Sequence, residues 1–83
     1  MRYRPTRNEY AAEHSRVLNS AATSDASLAK MTGVSPAYVS SLKNGRKSPS
    51  AAWCDLVADV LNLSDHDRRR LHLAAARDKG FRL

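Results

Sequence analysis

The stretch Ser24–Gly45, SDASLAKMTGVSPAYVSSLKNG, decides the fold of this chain, because its residues answer the requirements of two short helices joined by a tight turn. Ser24 stands where a hydroxyl can cap the first helix. Leu28 and Ala29 set an apolar residue beside a small one, as a second helix crossing closely over the first requires. Gly33 falls where the chain must leave that helix and turn sharply, a site that favours a residue free to take a positive φ. Ser35 can cap the next helix, and Pro36 suits its first position, where the missing N–H had no intrahelical partner. Val34, Val39 and Leu42 share the face that must meet a core. Asn44 and Gly45 end the segment with the two residue types best able to turn left-handed. The spacing predicts helices over about 25–32 and 36–43.

Such an arrangement is a helix-turn-helix, whose second helix would lie in the major groove of duplex DNA. Here the sequence also resembles the lambda-repressor-like, Xre/Cro-type family. The segment GVSPAYVSSLKNGRKSPS, residues 33–50, is similar to that family's recognition helix, its following Asn-Gly turn and the approach to its fourth helix. The resemblance covers residues 24–63 well and the flanks loosely. Two positions depart from the pattern. Thr32 replaces an aliphatic residue, which softens a helix–helix contact, and Lys43 replaces a residue that is often acidic, which adds positive charge beside the DNA.

The resemblance implies base contacts from Pro36, Ala37 and Ser41, and a phosphate contact from Asn44. These are modest readers: Ala37 can touch a thymine methyl, and Ser41 can make one hydrogen bond without singling out a base. No DNA-facing candidate on the helix is Arg, Gln or Asn, the types that contact bases bidentately. Tyr38 has two readings, a base or phosphate contact through its hydroxyl and packing through its ring. Ser35, Ser40, Lys43, Arg46 and Lys47 join Asn44 as the expected phosphate set, the alternative for the cations being a solvated charged turn. Small readers call for help from groove shape or from the arm that carries Arg2 and Arg4, which either enters a neighbouring groove or is a tail without contacts.

The rest of the chain supplies what these helices pack against. Thr6 and Glu9 have capping-box spacing, predicting a first helix from about Arg7 to Ser20 with Tyr10, His14, Val17, Leu18 and Ala21 on one face. On that face His14 reads as a core-edge residue. Ser50 can cap a fourth helix carrying Trp53, Leu56, Val57, Val60 and Leu61, the clearest amphipathic pattern in the chain. Ser64 and Asp67 repeat the capping signal for a fifth, through about Lys79 and stopped by Gly80, with Leu71, Leu73, Ala74 and Ala75 as its apolar positions. No strand-period alternation or internal repeat appears. The chain is expected to be all-α, a compact bundle of five short helices, with a basic arm over 1–7, a DNA-binding domain over 8–79 and an apolar tail over 80–83.

Composition bounds the function. Eighty-three residues, 42% of them hydrophobic, suit one small globular core. The net charge of +6 lies unevenly: residues 1–47 hold eight Lys/Arg against three Asp/Glu, and residues 48–83 hold six against five. The excess therefore sits on the half with the helix-turn-helix, as a footprint on phosphate requires. Cys54, the single cysteine, reads as a small buried hydrophobe. No run resembles a membrane span or a signal peptide, so a cytoplasmic protein, bacterial or phage-encoded, is expected. His14, His66 and His72 are scattered, and Asp65-His66-Asp67 would point in different directions on a helix. Hence no enzyme, metal or cofactor is expected.

These readings lead to a sequence-specific regulator of transcription that binds double-stranded DNA, a Cro-like repressor or autorepressor on a palindromic operator. One small module buries little DNA surface, so a homodimer is expected. Leu71, Ala75, Phe81 and Leu83 are the expected dimer surface, with Leu71 and Ala75 alternatively completing the monomer core. Arg68, Arg69 and Arg70 read as a solvated helix face. The competing reading is an antitoxin or accessory phage protein acting through a protein partner such as a cognate toxin or polymerase. A separate toxin-binding extension would favour it, and none is visible beyond the five helices.

Overall fold

Among the described residues five helices follow one another: α1 (Glu9–Ser20), α2 (Asp25–Thr32), α3 (Pro36–Lys43), α4 (Ala51–Val60) and α5 (Asp65–Gly80). The structure is a computed structural model that describes residues 9–80, with side chains through Asp78. The expected Thr6 cap, the arm with Arg2 and Arg4, and the tail residues Phe81 and Leu83 lie outside the described residues. The described fold is all-α, as the sequence predicts, and α2 and α3 match their predicted bounds.

Local chemistry sets most helix starts. Ser24, Ser35, Ser50 and Ser64 each accept a hydrogen bond from the backbone N–H three residues on, at 3.0–3.1 Å, starting α2, α3, α4 and α5. The first described residues of α1 are held from far away. The N–H groups of Glu9 and Tyr10 donate to the two carboxylate oxygens of Asp78, at 3.1 and 3.0 Å, so the last turns of α5 cap the first turn of α1. The Glu9 carboxylate accepts from Arg77. α1 and α4 end alike, with Ala22 (φ 52°) and Asn62 (φ 54°) left-handed and the next N–H returning to a carbonyl five residues back.

One core joins all five helices: Tyr10, Val17 and Leu18 from α1, Leu28 and Ala29 from α2, Val39 and Leu42 from α3, Trp53, Cys54 and Val57 from α4, Leu71 and Ala75 from α5. α1 lies along α5, α2 packs on α3 and α4, and α4 packs on α5. Burial of Cys54 pushes its thiol up to about 11, in keeping with a structural role. Several predicted positions need correction. Ala21 is exposed beyond the end of α1, and Leu56 (37%) and Leu73 (49%) are exposed. The inward face of α4 is Trp53, Cys54, Val57 and Ala58, which leaves Leu56 on its flank. Leu73, two residues beyond inward-facing Leu71, comes round to the opposite side of α5.

Leu71 (0% exposed) and Ala75 (6%) are themselves core, so neither offers a dimer surface. Being one turn apart, they face the same way, toward α4, where the Cys54 thiol lies 3.8 Å from the Leu71 carbonyl.

Candidate nucleic-acid interface

The turn between α2 and α3 follows from three residues. Gly33 takes φ 80° and its N–H returns to the Ala29 carbonyl at 2.9 Å, and the Val34 N–H joins the same acceptor at 3.1 Å. A Cβ at Gly33 would meet nothing within 4 Å, so glycine is needed here for its backbone conformation alone. Thr32, the polar departure just before it, donates its hydroxyl to the Leu28 and Ala29 carbonyls of its own helix, at 2.8 and 3.2 Å. The polar group is thereby satisfied inside α2.

α3 turns Val39 and Leu42 into the core and leaves Pro36, Ala37 and Ser40 exposed, with Ser41 half-buried. This puts three of the four expected base readers, and the expected phosphate residues Ser35 and Ser40, on or beside one open face of a rigid helix. Tyr38 is half-buried, its ring edge-on to Trp53 with centroids 5.6 Å apart.

The turn after α3 keeps its backbone N–H groups for itself. The N–H groups of Asn44, Gly45, Arg46 and Lys47 all return to α3 carbonyls, those of Ser40, Leu42, Ser41 and Ser41. What remains outward is side chains: exposed Asn44, whose amide donates to the Ser40 hydroxyl at 3.3 Å, and exposed Arg46 and Lys47. The left-handed residue is Gly45 (φ 82°), while Asn44 stays at φ −86°.

A helix-turn-helix family model matches residues 16–67, more than half of the chain and the whole of this geometry. The chain belongs to the Xre/lambda-repressor-like helix-turn-helix family. As a member of it, this is a DNA-binding regulator of transcription, from a family that is generally not enzymatic. No curated protein and no solved structure gives a significant match.

The cations of this family member fall into two groups. Arg16 is held by Glu13 and Asp67, Arg68 by Asp55 and Asp59, Arg70 by Glu13, and Arg77 by Glu9. These pairs knit α1 to α5 and α4 to α5. Lys30, Arg46 and Lys47, all exposed, have no carboxylate within ion-pair distance among the described residues; beyond the helix-turn-helix the same holds for Arg69. Lys30 escaped the sequence reading, although a lone lysine on an amphipathic α2 was its only signal.

Lys43 behaves unlike its neighbours. Its ammonium lies 3.3 Å from Asp25 Oδ2, so the positive charge expected beside the DNA is compensated within the protein. Asp25 Oδ1 in turn receives His14 Nε2 at 2.8 Å, His14 Nδ1 meets the Tyr10 hydroxyl at 3.0 Å, and that hydroxyl accepts Trp53 Nε1–H at 2.7 Å. A chain of polar contacts thus runs from the core tryptophan to the recognition helix. Partial burial raises the Asp25 carboxyl, but the bonds from His14 and Lys43 more than offset this and hold it below the ordinary carboxylate value. Only the Tyr10–His14 pair, one turn apart on a helix, had a signal in the sequence.

Proposed function

We propose that this regulator is a repressor or autorepressor that occupies a palindromic operator as a homodimer. In this reading α3 lies in the major groove with Pro36, Ala37 and Ser41 at the base edges and Tyr38 at their border. Ser35, Ser40, Lys43, Asn44, Arg46 and Lys47 contact the flanking phosphates. The observation that carries the reading is the sorting of charge. Cations remote from the helix-turn-helix are mostly neutralised by carboxylates, whereas Lys30, Arg46 and Lys47 are left over on its own half. Unneutralised charge around a helix of small exposed residues suits a polyanion that must be approached closely.

The test is selection of binding sites from randomised duplex DNA, with the selected sites measured again at two salt concentrations. Enrichment of a palindrome with half-sites about one turn (~34 Å) apart supports the dimeric reading. Repression of a reporter carrying that site upstream, within its promoter, distinguishes repressor from activator. Salt-sensitive binding without enrichment would refute sequence-specific regulation by this chain alone, and would move the search to protein partners.

A further inference from the structure

We propose that Asp25, anchored by His14, is a positioning residue that holds the Lys43 ammonium ready for a DNA phosphate. The inference rests on the DNA-binding reading above and adds to it a residue that no contact-based argument selects, since a carboxylate has no attraction for DNA.

The geometry supplies the argument. Asp25 is the first residue of α2, and its two oxygens serve two other helices, Oδ1 taking His14 Nε2 from α1 and Oδ2 taking Lys43 Nζ from α3. His14 is 1% exposed and cannot drift, because the Tyr10 hydroxyl grips its other nitrogen and Trp53 grips that hydroxyl. The donor order is consistent throughout. Trp53 can only donate, so the Tyr10 hydroxyl accepts from it and is free to donate to His14 Nδ1, leaving Nε2–H to donate to Asp25. The carboxylate is thereby fixed relative to the core. The side chain it fixes in turn ends in an ammonium with three N–H donors. Asp25 takes one, and at 39% exposure the group still faces solvent with the others.

Two opposing effects follow. The carboxylate repels a phosphate that shares its ammonium, and because the two then lie within the Debye length of about 8 Å, salt damps that repulsion only in part. Ordering a lysine in advance removes a loss of rotamer freedom that binding would otherwise incur, and salt does not screen that gain. Positioning requires the second effect to be the larger, and the sign of the change on removing the charge decides it.

The experiment is a double-mutant cycle in the full chain, measuring binding to a duplex taken from the selection at about 0.15 M salt, with thermal unfolding as the control for fold. Asp25→Asn keeps an oxygen for His14 while removing the charge that holds Lys43. By simple electrostatics, losing a negative charge tightens DNA binding. Positioning predicts the reverse: D25N weakens binding about threefold to fivefold, D25E restores most of it, and D25N has no weakening effect in the K43A background. Tighter binding by D25N, or equal weakening with and without Lys43, overturns the proposal. So does K43A binding like wild type while R46A and K47A weaken binding, an outcome that leaves the DNA-binding reading standing. If no duplex binds at all, it is that reading that fails, and this proposal with it.

Discussion

Replacing Tyr10 by Phe would remove one oxygen from the centre of the molecule and leave its ring in place. That oxygen is the only described partner of Trp53 Nε1–H, at 2.7 Å, and it also contacts His14 Nδ1 at 3.0 Å. Trp53 is 4% exposed and His14 1%, so water cannot readily replace it. A buried polar group left without its partner costs roughly 1–3 kcal/mol, and two are left here, so the expected loss is about 2–4 kcal/mol after some relaxation. For a domain of this size the whole stability is of order 4–12 kcal/mol, so the variant loses a large share of it. Its Tm should fall by roughly 10–25 °C. Urea unfolding followed by far-UV circular dichroism measures the change, and an unaltered m-value would show that the two-state unfolding is preserved. A loss below about 1 kcal/mol would refute the reasoning, because it would mean that neither nitrogen depends on the hydroxyl.

Other consequences can be checked with the same equipment. Ala22→Gly should stabilise the protein by about 0.5–1 kcal/mol, since the left-handed conformation costs alanine more than glycine's extra chain freedom costs in return; unchanged or lower stability would count against strain at that turn. Arg46→Ala and Lys47→Ala should each weaken binding to all duplexes alike and reduce the log–log salt slope by about 0.9, while Arg68→Ala, whose guanidinium is already held by Asp55 and Asp59, should leave the slope unchanged. Stability should also depend on pH with opposite signs at the two ends. Burial raises the Glu13 carboxyl, but Arg70 and Arg16 more than offset that, and Asp25 behaves likewise with His14 and Lys43, so both sit below their ordinary values in the native state. The unfolded chain therefore takes up protons first on acidification, and stability present above the unfolded carboxylate pKa is lost as pH falls through it toward the native values. Burial raises the Tyr10 hydroxyl and brings the Cys54 thiol to about 11, so their contribution is complete below the unfolded values and is lost as pH rises through the native ones. Urea midpoints should thus fall toward both the acid and the alkaline end, and Glu13→Gln should flatten the acid limb.

What could be read in advance divides by sequence distance. The caps at Ser24, Ser35, Ser50 and Ser64, the left-handed Gly33 and the bounds of α2 and α3 depend on interactions within a few residues, and the sequence states such interactions directly. The cap of α1 by Asp78 spans 69 residues, and the Trp53–Tyr10 bond spans 43. No local pattern encodes either, because both depend on how helices are set against one another. The same limit applied at the interface. The open face of α3 was legible from the buried Val39 and Leu42, which fix the helix's rotation. The tie from Lys43 to Asp25 was not, since it needs the crossing of α2 over α3. Misread Leu56 and Leu73 show the limit from the other side: both lie in plausible apolar patterns, and only the position of the neighbouring helix decides which flank is covered.

The small exposed residues of α3 place a particular demand on the rest of the molecule if it reads bases as proposed. An arginine can follow a guanine through a shift of its helix by bending its long side chain. The Ala37 methyl cannot, because a van der Waals contact with a thymine methyl loses a quarter to a half of its attraction over a gap of roughly 0.5–1 Å. Discrimination by small groups therefore requires a helix that does not shift. α3 is held in the ways that this requires. Ser35 caps its start, and Tyr38 rests edge-on against Trp53. At the other end, the Ser41 carbonyl accepts both Arg46 N–H and Lys47 N–H, and Lys43 reaches across to Asp25. The backbone N–H groups spent in the turn after α3 are unavailable to phosphate, but spending them makes the turn rigid. Rigidity and phosphate contact are thereby divided between backbone and side chains, and the division predicts that loosening the turn costs base preference while removing its cations costs affinity.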